Sequence, residues 1–315
     1  MKLALLLMFA LASSAADSRA GESRAPAAVD PSRDAAETEF AALAAKDEAA
    51  QADVETWRRE ARAAAGSARP VGDAELERRI RERVEPIGKA YADFVQRHPV
   101  HVRARLAYGC FLNDHADEAG AQAQWEKALE LDPENADAYN NLAGRYAEIG
   151  PASKAFEFFS RAVALKPGEA NYQHNFADCL YVLRSHAMTN YGLNEQQVFS
   201  RALLLYSNAA RLEPTNASFT WDFAQTYYAV KPLPFGPALQ AWTNALAGAR
   251  SQIDREQIYL QLARVKMLSG QYAAARAQLL SVTNESVADA KARLVRALEQ
   301  RESAPARNSQ PREGR

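Results

Sequence analysis

A repeat of 34 residues constrains the fold of this chain more than any other feature. Prolines mark its steps, because Pro99, Pro133 and Pro167 are each separated by 34 residues and Pro214 follows after 47, which is 34 plus 13. Other positions recur at the same step, in the pairs Ala121 and Ala155, Trp125 and Phe159, Ala128 and Ala162, and Tyr108 and Leu142. Periods of about 20 to 50 residues are typical of repeat architectures, in which each unit packs on its neighbours. The sequence therefore predicts a stack of repeated units.

The pattern within each unit predicts two antiparallel helices. Apolar and small residues recur at spacings of three and four, and a polar or glycine turn separates the two halves. In the clearest unit, 136–169, Gly150 ends the first helix and Pro167 ends the second. The residues of this unit that we expect to pack inward are Tyr139, Leu142, Ala143, Tyr146, Ala155, Phe159 and Ala162. A single pair cannot bury its aromatic side chains alone, so neighbouring pairs must stack.

This order of large and small residues resembles the tetratricopeptide repeat (TPR), a 34-residue pair of helices. Unit 136–169 matches the pattern throughout, whereas the preceding unit has Arg105 where the family prefers an aromatic residue. The third unit carries thirteen extra residues, 184–196, between its helices, and its second helix begins with a capping-box pattern at Asn194 and Gln197. The resemblance covers five units over residues 99–285. It implies an all-α TPR superhelical solenoid of stacked antiparallel helix pairs.

The segments outside the repeats are assigned by periodicity and composition. Residues 34–98 have the spacing of a helical pair that closes the N-terminal end, and residues 286–301 have that of a single capping helix. Residues 17–33 and 302–315 are rich in Ala, Ser, Pro and Arg without periodicity, so we expect both to be flexible.

The first 16 residues have the features of a secretory signal peptide. Lys2 provides the positive start, an apolar run follows over residues 3–12, and cleavage is expected after Ala16. The apolar run is shorter than the roughly 20 residues that span a bilayer, so no transmembrane segment is expected after signal removal. Secretion across the inner membrane, with a periplasmic location, is the resulting prediction, and the cell surface and the medium remain alternatives.

The charge balance argues against one class of partner, and the positions of the cysteines argue against a disulfide. With 38 basic and 39 acidic residues the net charge is −1, which argues against a nucleic-acid partner. Cys110 and Cys179 fall in predicted helices two repeats apart, too far for a disulfide, and are expected to be small buried hydrophobic groups.

No motif for catalysis, for a cofactor or for a metal is present in the sequence. There is no GxSxG, HExxH, GxxxxGK[ST] or GxGxxG pattern, and the five histidines (98, 101, 115, 174 and 186) are not accompanied by cysteines at ligand spacing. We therefore expect a protein that is not an enzyme and has neither cofactor nor metal.

The resemblance implies that the first helix of each pair lines a concave groove. The residues that map to its central stripe are Asn140, His174, Asp178, Tyr181, Trp221, Gln225 and Tyr228. Amides can hydrogen-bond a peptide backbone, and Trp and Tyr bury side chains with little loss of rotamer entropy, so a peptide or protein segment suits this mixture. The insertion 184–196 is expected to project as a loop and is a second candidate for partner contact.

Two other functions stay open from the sequence. An enzyme or small-molecule binder could use the groove as a pocket, with His174 and Asp178 as its polar pair one helical turn apart. A structural homo-oligomer is the other alternative.

Overall fold

The computed structural model describes residues 31–64 and 73–303, and all regular secondary structure in these ranges is helical. The chain divides into two compact units, residues 1–145 and 146–315. The predicted signal peptide, most of the predicted flexible segment 17–33, and residues 304–315 lie outside the described residues.

The described part of the first unit, residues 31–64 and 73–145, contains four complete α-helices and most of a fifth. They are α1 (Pro31–Ala64), α2 (Asp73–Arg97), α3 (Val102–Asp114), α4 (Glu118–Leu131) and α5 (Ala136–Ile149). The α3 and α4 helices begin at side-chain caps, because His101 Nδ1 accepts a hydrogen bond from the Ala104 N–H at 3.1 Å and Asp117 Oδ1 accepts one from the Gly120 N–H at 2.9 Å.

The long helices α1 and α2 pack on each other and α2 packs on α3, around a core that contains Phe40, Tyr91, Phe94 and Phe111. The Tyr91 hydroxyl donates a hydrogen bond of 2.9 Å to Asp47 Oδ2, which joins α2 to α1 inside this core. Burial raises the pKa of Asp47 above its usual value. The helix α1 begins at Pro31, so residues 31–33 belong to a helix, contrary to the expectation of a flexible segment up to residue 33.

A glycine sets the close approach of α3 and α4. A Cβ atom at Gly109 would lie 2.3 Å from Trp125 Nε1, a distance at which atoms overlap. The Trp125 side chain is almost fully buried, at 1% exposure. The small residue thus makes room for the large one, as the repeat pattern implies.

Over its described residues, 146–303, the second unit contains nine further α-helices and the end of α5. They are α6 (Ala152–Leu165), α7 (Ala170–Val182), α8 (Arg184–Tyr191), α9 (Glu195–Leu212), α10 (Ala217–Thr226), α11 (Phe235–Ala245), α12 (Gln252–Leu268), α13 (Tyr272–Leu280) and α14 (Ala288–Ser303). Within this unit α7 packs on α9, α10 on α9 and α11, and α12 on α11 and α13, which is the order expected of stacked pairs.

The insertion between the two helices of the third repeat is mainly a helix, and the expectation of a projecting loop is wrong. Residues 184–191 form α8, which packs on α6 and α9. Ala187 is fully buried, and the Tyr191 ring lies 5.6 Å from that of Phe156. Gly192 ends the helix in the left-handed region, at φ 64°. The predicted capping box of Asn194 and Gln197 then starts α9, with both reciprocal hydrogen bonds present.

A buried carboxylate holds the turn that leads into the last helix. Glu256 on α12 is 2% exposed and accepts hydrogen bonds from the backbone N–H groups of Thr283, at 2.9 Å, and Asn284, at 2.7 Å. These bonds lower the pKa of Glu256. The helix α14 continues to Ser303, and Glu302 forms an ion pair with Arg276 of α13. Residues 302 and 303 therefore belong to the capping helix, contrary to the expectation of a flexible tail from residue 302.

Both cysteines are free thiols, and burial raises the pKa of each to about 12. Cys179 is buried, as expected, whereas Cys110 is only partly buried and its sulfur accepts a long hydrogen bond of 3.5 Å from Asn141 Nδ2. Among the described residues, none of the helices has both the length and the apolar character required to cross a membrane.

Candidate binding surface on the second unit

The seven residues predicted to line the groove lie on first helices of successive pairs. Asn140 is on α5 in the first unit, and the others are in the second unit: His174, Asp178 and Tyr181 on α7, Trp221 and Gln225 on α10, and Tyr228 in the single helical turn that follows α10. Asn140 is 6% exposed. Because so little of its amide is accessible, Asn140 is not part of the candidate binding surface.

His174 connects two successive first helices. Its Nε2 lies 2.9 Å from Oδ2 of Asp222 on α10, and its Nδ1 lies 3.5 Å from Oδ2 of Asp178 one turn further along α7. Two aromatic rings also contact the imidazole. The centre of the Phe219 ring lies 4.6 Å from that of His174, and the ring of Tyr206 on α9 packs edge-on with its centre 5.4 Å away. The imidazole is thereby fixed between two carboxylates.

The Asp178 carboxyl has a raised pKa although its side chain is 28% exposed. Burial raises the pKa of Asp178, with a further rise from the charge of Asp222, against the lowering effects of His174 and the Tyr206 hydroxyl. Tyr206 donates its hydroxyl hydrogen to Asp178 Oδ1. Burial and the neighbouring Asp178 raise the pKa of Tyr206 far above its usual value. The phenol therefore keeps its proton at neutral pH and acts as a hydrogen-bond donor.

The cluster was only half predicted from the sequence. His174 and Asp178 were paired by their spacing, and the structure brings them together, but Asp222 was not included. One ligand atom from each of the three lies within 4.8 Å of the others, and a histidine with two carboxylates is a donor set that zinc accepts. Each ring nitrogen faces a carboxylate, however, so a metal bound to one nitrogen would first have to displace that contact. The geometry is that of an internal charge network.

The aromatic side chains of α10 and the following turn pack on α11 and α12. The Trp221 ring meets that of Trp242 nearly at a right angle, with 4.9 Å between centres, and Tyr228 lies 6.3 Å from the same ring. The Tyr228 hydroxyl donates a hydrogen bond of 3.1 Å to Gln261 Oε1 on α12. The guanidinium of Arg264, also on α12, lies 4.6 Å from the Tyr228 ring.

The remaining two predicted residues differ in their surroundings. Gln225 is exposed on α10. Tyr181 packs against Phe199 of α9 at 5.3 Å, within its own repeat. His174 thus joins α7 to α10, and Tyr228 joins the turn after α10 to α12. Gln225 lies between these two contacts along the chain and is exposed.

A small cavity adjoins Trp221 and Asp222. It is an open cleft with a volume of about 260 Å³, lined by α10, the end of α11 with the turn after it, and the start of α12. Its other lining residues include Gly248, Asp254, Gln257 and Ile258. A Cβ atom at Gly248 would lie 2.9 Å from the Ala217 backbone, so a residue without a side chain is needed where this turn meets α10.

Comparisons with known proteins support the fold. No protein-family model and no curated protein sequence matches the chain. Among solved structures, YrrB, described as a TPR protein with an unusual peptide-binding site, has a TM-score of 0.51 and 14% identity over 68% of this chain and 99% of its own. PilF of Pseudomonas aeruginosa has a TM-score of 0.48 and 18% identity over 75% and 91%. A thermophilic TPR protein of Thermus thermophilus has a TM-score of 0.39 and 21% identity over 63% and 99%.

The likeness to YrrB, together with the helix pairs described above, shows the fold of this chain. It has the tetratricopeptide-repeat fold, an all-α solenoid of stacked helix pairs. The resemblance seen in residues 99–285 is thus confirmed at the level of the fold.

Proposed function

We propose that this chain is a non-catalytic interaction scaffold that binds an extended peptide segment of a partner protein on the second unit. The binding surface consists of His174, Trp221, Asp222, Gln225, Tyr228 and Arg264, and is called the α7–α10–α12 surface below. A single observation carries the proposal. The first helices of three successive repeats are joined by side-chain contacts, His174 to Asp222 and Tyr228 to Gln261 and Arg264, into one strip of partly exposed polar and aromatic groups.

The chemistry of this strip suits a peptide better than a small molecule. Contacts are spread over three helices, whereas the adjoining cavity of about 260 Å³ is smaller than the roughly 300 to 1,000 Å³ of pockets for drug-sized ligands. Gln225 offers an amide that can hydrogen-bond a peptide backbone, and Trp221 and Tyr228 offer aromatic contact area. YrrB is described as carrying a peptide-binding site on the same fold, which supports this use of it.

A matched pair of variants tests the surface without disturbing the core. Gln225 on α10 and Gln240 on α11 are both exposed glutamines in helices of the same unit. The purified chain with Gln225→Arg should lose a partner that the unchanged chain retains from an envelope extract of the source cell, and the chain with Gln240→Arg should keep it. Loss in both variants, or in Gln240→Arg alone, would place binding elsewhere.

We also propose that the scaffold is exported, on the basis of Lys2, the apolar run 3–12 and the small residues up to Ala16. The mass of the protein isolated from its natural cell tests this directly. A chain that begins at Asp17 supports export with cleavage, and a chain that retains residues 1–16 contradicts it.

A further inference from the structure

The cavity beside Trp221 has a strongly one-sided charge. Its charged lining residues are Asp222 and Asp254, and among the described residues that enclose it there is no Lys, Arg or His. The other members are small, apolar or neutral polar residues, namely Ala217, Ser218, Ala245, Gly248, Ala249, Gln257 and Ile258. Two acidic residues and a tryptophan therefore line one small space.

Both carboxylates are held in position by neighbours outside the cavity. Asp254 Oδ2 accepts hydrogen bonds from the backbone N–H groups of Arg250, at 3.0 Å, and Ser251, at 2.9 Å, as part of the capping box of α12. These bonds lower the pKa of Asp254, led by the backbone bond from Ser251. Asp222 is fixed through Oδ2 by His174, and its side chain is 38% exposed. The two acidic groups are thus in place before any ligand enters.

The size and the lining together select the ligand. A volume of about 260 Å³ lies below the usual range for small-molecule sites and suits a single side chain. A cation gains from the carboxylates by Coulomb attraction and from an indole by cation–π interaction. Arginine fits better than lysine, because its planar guanidinium can stack on an aromatic ring and donate to a carboxylate through two N–H groups at once.

We propose that this cavity is a specificity pocket that receives an arginine side chain of the bound peptide, with Trp221 as its aromatic wall and Asp222 and Asp254 as its anionic partners. The pocket adjoins the α7–α10–α12 surface and shares Trp221 and Asp222 with it. The inference rests on the proposed function, because it names the chemistry of the segment which that surface binds.

The test begins with peptides selected from a random 12-residue phage-displayed library on the purified full-length chain. Each arginine of an enriched peptide is then replaced by citrulline, which has a similar shape without the charge, and affinities are measured by fluorescence anisotropy. One replacement should weaken binding about tenfold or more, which corresponds to the loss of a charge-assisted contact.

A double-mutant cycle assigns that arginine to the pocket. The Asp222→Asn variant should lose about tenfold in affinity for the arginine peptide and almost nothing for its citrulline form. Asp289→Asn, which removes the same charge from an exposed position on α14, should bind both peptides like the unchanged chain. A second variant provides a test that does not depend on the folding of Asp222→Asn. Gln257→Arg places a cation at an exposed position of the pocket wall and should abolish the preference for the arginine peptide over its citrulline form.

The outcomes separate this inference from the proposal on which it rests. In one outcome, the peptides lose affinity for the Gln225→Arg variant and yet bind equally well after citrulline replacement and to the Asp222→Asn variant. That result would contradict the arginine pocket but not the peptide-binding surface. A library that yields no binding peptide would contradict the proposed peptide function, and the pocket would fall with it.

Discussion

His174 Nε2 lies 2.9 Å from Asp222 Oδ2, and this contact spans 48 residues of sequence to join the first helices of two successive repeats. Asp222 also lines the cavity beside Trp221. One carboxylate therefore belongs both to the contact that joins α7 to α10 and to the pocket that we propose for a ligand.

The hydrogen-bonded contact between His174 and Asp222 should contribute modestly to stability. The two side chains are 12% and 38% exposed, so solvent screens part of the attraction. Urea unfolding of His174→Ala, Asp222→Ala and the double variant should give a coupling free energy of about 0.5 to 1 kcal/mol. The exposed His186 on α8 provides the control, since His186→Ala should be additive with Asp222→Ala. Additivity in both cycles would contradict an energetic link between α7 and α10.

Asp178 should make stability depend on pH in the direction set by its raised pKa. The folded state holds the Asp178 proton more tightly than the unfolded state. Ionised Asp178 therefore destabilises the fold at pH values above its folded pKa, and this effect vanishes below the ordinary aspartate pKa of 3.8. Asp178→Asn still offers an acceptor to Tyr206 and should be more stable than the unchanged chain near pH 7. That advantage should shrink as the pH falls to about 4. An advantage equal at both pH values, measured from urea midpoints, would be inconsistent with the raised pKa.

Glu256 should have the opposite pH dependence. Its lowered pKa means that it stabilises the fold above the ordinary value of 4.5 and loses that effect as the pH falls through its folded pKa. Glu256→Gln should reduce the melting temperature by several degrees at neutral pH and by less in acid, because it weakens the acceptor for the Thr283 and Asn284 N–H groups. Glu285→Gln, at an exposed position of the same turn, should melt like the unchanged chain.

Gly109 should tolerate no side chain. Gly109→Ala would place Cβ 2.3 Å from the Trp125 indole, and the resulting overpacking should cost about 1 to 3 kcal/mol despite the better helix propensity of alanine. Gly236→Ala is the matched control, because nothing lies within 4 Å of the place that a Cβ atom would take there, at the start of α11. Chemical unfolding followed by tryptophan fluorescence measures both, and equal stability of the two variants would refute the close approach.

Much of the fold could be predicted because the repeat pattern is local. Gly150 and Pro167 mark the ends of α5 and α6, and the Asn194 and Gln197 side chains start α9 as their spacing predicts. The helix α8 could not be predicted in this way, because residues 184–191 lack an apolar stripe. It is instead stabilised by packing, through the buried Ala187 and the ring contact of Tyr191 with Phe156.

The candidate site likewise combines residues that the sequence predicts with residues that it does not. The spacing of His174 and Asp178 within one helix predicted their proximity, and the aromatic residues Trp221 and Tyr228 were found from their repeat positions. Asp222 immediately follows Trp221, yet its contact with His174 depends on how α7 and α10 pack, which the 34-residue period does not specify. Asp254 likewise enters the cavity only because α12 begins there. Residues that act between repeats thus require the structure.

Binding of a partner's peptide segment to the α7–α10–α12 surface can be tested by site-specific crosslinking. The most direct measurement places a photo-crosslinking amino acid at position 225 in one version of the chain and at position 240 in another, and illuminates each with an envelope extract. We expect a crosslinked partner from position 225 alone, mapped by mass spectrometry to one short segment of that partner. Crosslinking from position 240 alone, equal crosslinking from both, or an adduct of this chain with itself would contradict it, the last in favour of a homo-oligomer.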